Sequence, residues 1–133
     1  DAAARSYAAE PEWPRAIHAG LASLARYLSS EPSFARMALV EVLAAGPAAH
    51  VQRELILQSF SLLLAPGYRH STVAVPEITS EAISGGILEI LYFYVSNNRV
   101  IDLPQLVPAL TYIALAPFIG TEQAATVASE SLG

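Results

Sequence analysis

Three histidines, His18, His50 and His70, are the residues best suited to hold a metal or move a proton. Metal binding from a helix needs ligands that converge, as at i and i+4. These three fall on separate elements and have no such spacing. They are expected at the surface or at helix ends. With no Cys in the chain, thiolate sites and disulfides are excluded. No Ser stands in a G-x-S-x-G context, because Ser84-Gly85-Gly86 lies inside an apolar run, and there is no glycine-rich phosphate loop. The residues offer no catalytic constellation, no metal site and no cofactor motif, so an enzyme is not expected.

A few polar residues stand out against apolar surroundings. Glu41 and Gln58 occupy positions on otherwise apolar helix faces. A buried polar group needs a partner. That partner is either a helix end or an Arg, or else a ligand for which the group is a polar anchor inside an apolar pocket. Glu89 is similar, and would pair across chains if its helix lies at an interface. Tyr92-Phe93-Tyr94 cannot share a face at about 100° per residue, so Tyr92 and Tyr94 point roughly opposite ways. Gly85 and Gly86 within a helix cost about 1 kcal/mol each relative to Ala. Close approach of another helix, or room for a ligand, would offset that cost.

Gly and Pro delimit the elements that carry these residues. Ala2 to Ala9 is helix-prone with fraying expected, and Pro11 to Pro14 breaks it. Trp13, Ile17, Leu21, Leu24 and Leu28 recur at spacings of four, four, three and four, one amphipathic helix with Arg15, Ser23 and Arg26 outward. A second helix is expected from Pro32 to Ala45, carrying Phe34, Ala38 and Val42 beside Met37 and Glu41, and Gly46-Pro47 stops it. A third runs from Pro47 to Ala65 with Val51, Leu55, Gln58 and Leu62 on one face, flanked by Ile56, Phe60 and Leu63. Tyr68 to Ile78 reads as a loop, with some strand character at Val73 to Val75. Thr79 or Ser80 caps the next helix, which ends at Asn97-Asn98. Asp102 and Gln105 have capping-box spacing, Pro108 should kink the following helix near its start, and Thr121 opens a short tail helix. The expected class is all-α.

Two of these helices are too apolar for one small core. Ile83 to Val95 carries one stripe of Ile83, Ile87, Ile90 and Tyr94 and another of Leu88, Leu91, Tyr92 and Val95. Leu106 to Ile119 contains no charge. A surface helix has one apolar stripe and one polar face. The excess calls for a partner chain, lipid, or an unusually complete wrap of neighbouring helices. Membrane spanning is not expected, because the runs are ~13 and ~14 residues against the ~20 required. Glu89 also interrupts the first run, and Pro104, Pro108 and Pro117 punctuate the second. The chain of 133 residues is 53% apolar and 14% charged, with net charge −5 and every basic residue an Arg. No basic patch exists to hold duplex DNA. Nothing at the N-terminus resembles a signal peptide.

Several strings resemble the C-terminal regulatory domain of the TetR family of bacterial transcription regulators. They are Glu31-Pro32-Ser33-Phe34-Ala35-Arg36-Met37-Ala38-Leu39-Val40-Glu41 followed by Ala44-Ala45-Gly46-Pro47-Ala48, Trp13 ahead of Leu24 and Leu28, Thr79-Ser80-Glu81-Ala82 before Gly85-Gly86, and Pro117-Phe118-Ile119-Gly120. The resemblance spans about Trp13 to Ala124. It implies a cytoplasmic ligand-sensing domain, a helical bundle whose last two long helices form a four-helix bundle with a second copy. A departure is that no helix-turn-helix precedes Trp13, so operator DNA would be read only through an N-terminal domain outside this sequence. A small apolar effector would sit among the first, second, third and Ile83 helices, lined by Leu24, Phe34, Met37, Glu41, Gln58, Leu62 and Tyr92. The homodimer interface would draw on Gly85, Gly86, Glu89, Tyr94, Leu106, Leu110, Ile113 and Pro117. The rival expectation is a standalone helical scaffold or membrane-associated module without a ligand.

Overall fold

Proline and glycine stand at most element boundaries in the computed structural model, which describes residues 2–41, 44 and 46–131. The elements are α1 (Ala2–Ala9), α2 (Trp13–Ser30), α3 (Pro32–Arg36) continuing as a π-helical turn (Met37–Glu41), α4 (Pro47–Leu64), α5 (Gly67–His70), α6 (Thr79–Ser96), a 3-10 segment (Val100–Leu106), α7 (Val107–Ile119) and α8 (Thr121–Ala128). No strand occurs among the described residues. Pro14, Pro32, Pro47 and Pro108 all lie in first helical turns, where the missing N–H costs nothing. Pro108 therefore starts α7 rather than kinking it. Gly46 and Gly120 hold positive φ of 79° and 86°, and Asn98 ends α6 in the left-handed region at 59°.

The molecule is arranged around α2, which touches α1, α3, the 3-10 segment, α7 and α8. This wrap buries more of α2 than one stripe. Trp13, Ile17 and Leu28 are buried as expected, but so are Ala16, His18, Ala22, Ser23 and Ala25. Ser23 was expected outward and His18 at the surface. The alanines of α2 let neighbours approach on two sides and enclose both.

At one end of α2 an aromatic cluster fixes three elements. Trp13 meets the Phe118 ring edge-on at 5.6 Å, Tyr68 meets it at 5.1 Å, and His70 lies against Trp13 at 5.3 Å. Gly67 fits beneath them. Tyr68 also secures the loop from residue 71 to 78, since its hydroxyl donates to the Glu77 carbonyl at 2.7 Å. The same oxygen accepts the Ser80 N–H at 3.1 Å. The N-terminus of α6 is thus satisfied by a distant Tyr and not by a Thr79 or Ser80 side chain.

Three helix faces differ from expectation. In α4 the large apolar residues that are buried or half-buried are Ile56, Leu57, Phe60, Leu63 and Leu64, while Val51, Leu55, Gln58 and Leu62 face out. Both stripes are apolar, and packing against α6 selects the first. In the second expected helix, Ala35 and Leu39 point inward while Phe34 and Met37 are exposed; the positions Val42 and Ala45 lie outside the described residues. The wider π turn shifts the phase of that helix after Arg36. Asp102 makes no cap: its carboxylate accepts Arg99 Nε at 3.2 Å from within the 3-10 segment.

Helix α6 buries residues from both of its apolar stripes, Ile83 and Ile87 from one, Leu88, Leu91 and Val95 from the other. Its exposed line is Ala82, Gly86, Glu89 and Phe93. Helix α7 buries Val107, Leu110, Thr111, Ala114, Leu115 and Phe118. It leaves Pro108, Ala109, Tyr112, Ile113 and Pro117 exposed, a face with no charge and, apart from the Tyr112 hydroxyl, no side-chain polar group. The continuous stretch Val100–Ile119, with mean hydropathy 1.3, is long and apolar enough to cross a membrane by length and composition.

Candidate functional site

An apolar cavity of about 70 Å³ lies where α1, α2, α4, α6 and α7 meet. Helix α2 supplies Ile17, Gly20, Leu21 and Leu24, and α4 supplies Phe60, Leu63 and Leu64. Ala3 and Tyr7 of α1, Ile87 of α6 and Ala114 of α7 complete it. Gly20 keeps α1 close: a methyl there would lie 3.6 Å from Tyr7 Cβ, ordinary van der Waals contact.

Helix α1 is tied down at the cavity edge. The Tyr7 hydroxyl and Trp13 Nε1 both donate to the Leu63 carbonyl, at 3.1 and 2.8 Å. That carbonyl lies in the last turn of α4, where helical acceptors lack intrahelical donors. Burial raises the Tyr7 hydroxyl above its ordinary pKa, only partly opposed by the nearby Trp13 indole N–H, so it stays a neutral donor. The cavity walls carry no ionised side chain.

The cavity adjoins a groove of about 390 Å³ lined by Ala2, Ala3, Arg5, Leu24, Tyr27, Leu28 and Phe34. Tyr27 and Phe34 stand edge-to-face at 5.4 Å on its wall. Other hollows are more polar. One, between α4 and α6, is lined by Glu54, Leu57, Gln58, Ser61, Leu62 and Glu81. Another is formed by Gly46, Ala49, His50, Arg53, Glu89 and Tyr92.

The expected lining residues are therefore scattered. Leu24 lines the cavity and the groove, and Phe34 the groove alone. Gln58 and Leu62 share one outer hollow, Tyr92 belongs to the other, and Met37 and Glu41 are exposed on the π turn. Sequence reasoning missed Tyr7, Gly20, Phe60 and Leu63. A lone Tyr in an Ala-rich stretch was the available signal for Tyr7. Of the expected interface residues, Leu110 is 2% exposed and belongs to the core. Leu106, Tyr94 and Gly85 are half-buried, and Gly86, Glu89, Ile113 and Pro117 are exposed.

Elsewhere the charged groups form a bridge between chain ends. Arg15 Nε donates to Glu130 at 2.9 Å and its Nη1 to Glu12 at 2.7 Å. Hydrogen bonding to Arg15 holds the Glu130 carboxyl below its usual range. Burial pushes His18 below its ordinary value, partly opposed by Glu130. His18 Nδ1 and Thr111 Oγ1 are buried without a hydrogen-bond partner among the described residues. No cluster of three metal-ligating side chains occurs among the described residues.

Comparison with protein-family models, with curated proteins and with solved structures finds no match to this chain.

Proposed function

We propose that this chain is a ligand-sensing, dimer-forming helical domain, of the kind that controls DNA binding by a separate helix-turn-helix domain, as the TetR resemblance implies. The observation that carries this reading is the two-sidedness of α6 and α7. Ile87 and Ala114 line the apolar cavity, while Gly86, Ile113 and Pro117 on the same two helices face outward. An apolar effector that binds one helix arrangement better than another shifts the population toward it. A wall shared with a dimer seam would convey that shift to the second copy as a change in subunit spacing.

The proposed homodimer uses the uncharged outer face of α7 and the exposed line of α6. A stable two-fold interface buries at least about 1,200 Å² in total with an apolar centre. Light scattering at micromolar concentration should give twice the chain mass, and a monomer mass would remove this reading. Thermal shift with apolar compounds tests sensing separately.

A second reading, a membrane-associated module without a ligand, is favoured by one observation: the length and hydropathy of Val100–Ile119. A third of that stretch is buried, with Leu103, Val107, Leu110, Ala114 and Leu115 in the core, and the rest faces outward.

A further inference from the structure

The apolar cavity does not end at α1. Ala3 and Leu24 line both it and the groove beside Tyr27, Leu28 and Phe34. From Phe60 outward past Leu24 to Phe34 the walls are apolar or aromatic. A single ionised side chain lines this path, Arg5, at the groove. Arg5 is exposed, and no carboxylate of the described residues lies within 4.0 Å of it, since the ion pairs there involve Arg15 and Arg99.

We propose that cavity and groove together bind a free single-chain anionic amphiphile, with its tail directed past Leu24 toward Phe60 and its anionic head at Arg5. This rests on the ligand-sensing reading above and adds the charge of the ligand and the end at which that charge is read. A guanidinium offers a planar fork of donors that matches a carboxylate in two parallel hydrogen bonds. A neutral head forfeits the charge assistance, and a cationic head meets repulsion. The tail gains by leaving water, at about fourfold in affinity for each methylene that enters the apolar path. Selectivity is thus divided between two places: tail length at the Phe60 end, head charge at the Arg5 end.

Isothermal titration of the whole chain with sodium octanoate, octan-1-ol and octyltrimethylammonium separates these contributions. The expected order of affinity is octanoate, then the alcohol, then the cation, with octanoate about fivefold tighter than the alcohol. Across hexanoate, octanoate and decanoate, binding should tighten by about fourfold per methylene until the path is filled. Arg5→Gln should remove the octanoate advantage and leave octan-1-ol binding unchanged. Leu24→Trp, placed where cavity and groove join, should abolish binding of all three. The length series does not depend on that variant folding.

If octanoate and the alcohol bind equally and Arg5→Gln changes neither, the anionic-head assignment is overturned while ligand sensing stands. If none of the three binds, the amphiphile proposal is overturned, and the thermal-shift screen with apolar compounds decides whether the sensing reading falls with it. Binding to phosphatidylglycerol vesicles with no heat from free octanoate would also overturn the proposal, in favour of a membrane surface.

Discussion

Gly67 sits where no side chain fits. A Cβ there would lie 2.6 Å from Phe118 Cγ and 2.6 Å from Trp13 Cη2, both rigid ring atoms held in the aromatic cluster. Gly67→Ala should therefore cost about 1–3 kcal/mol through overpacking, read as a lower urea midpoint. His18 gives a pH prediction of definite sign. Burial lowers its folded pKa below the ordinary value of 6.5, so the unfolded chain binds the proton more readily. The stability associated with neutral His18 is complete above pH 6.5 and is lost as the pH falls through the folded pKa. Glu130, lowered by Arg15, loses its contribution in a separate window, below the ordinary carboxylate value of 4.5. Urea midpoints measured from pH 8 to pH 5 should fall for the natural chain. They should fall less for His18→Gln, and equal slopes would refute the assignment.

The two apolar helices allow association to be separated from folding. A Cβ at Gly86 meets nothing within 4 Å inside the chain. Gly86→Ala should stabilise the dissociated chain by about 1 kcal/mol through helix propensity alone. If a second copy approaches this helix closely, the same methyl weakens the dimer. Sedimentation equilibrium together with concentration-dependent melting would reveal the opposed effects, and a variant that gains stability with unchanged association would place the seam elsewhere. Ile113, 42% exposed, and Leu110, 2% exposed, give a second contrast on α7. Ile113→Glu should yield a folded monomer. Leu110→Glu should unfold the chain, because an unpaired buried charge costs several kcal/mol.

For the whole molecule, charge governs which partners can be held. With a net charge of −5 and no clustered arginines, the chain lacks the basic surface that displaces counterions from duplex DNA. Gel-shift titration at physiological salt should show no complex at micromolar protein, whatever the duplex sequence. A complex with a steep salt dependence would contradict this. The Arg15–Glu130 pair joins α2 to the residues just after α8, but it is exposed. Glu130→Gln should leave stability nearly unchanged, measured in the same urea titration.

The all-helical class, the punctuation at Pro14, Pro32, Pro47 and Gly120, the ends of α2 and α4, and the C-terminal ends of α6 and α7 follow from the sequence. Local chemistry decides these: ring-fixed φ, positive φ at glycine and the periodicity of apolar residues. Which face of each helix turns inward does not follow. Helix α4 has two apolar stripes, and the choice of Ile56, Phe60 and Leu63 over Val51, Leu55 and Leu62 is made by its packing against α6. The candidate site was less legible for the same reason. Leu24 was identified, but its neighbours Tyr7, Gly20 and Phe60 come from three helices brought together only by the tertiary fold. Likewise the cap on α6 comes from Tyr68, twelve residues before Ser80 in the chain. Sequence patterns report which residues avoid water. Only the assembled helices, through the space each leaves its neighbours, decide which of those residues fill the core and which are left to line a cavity or face outward.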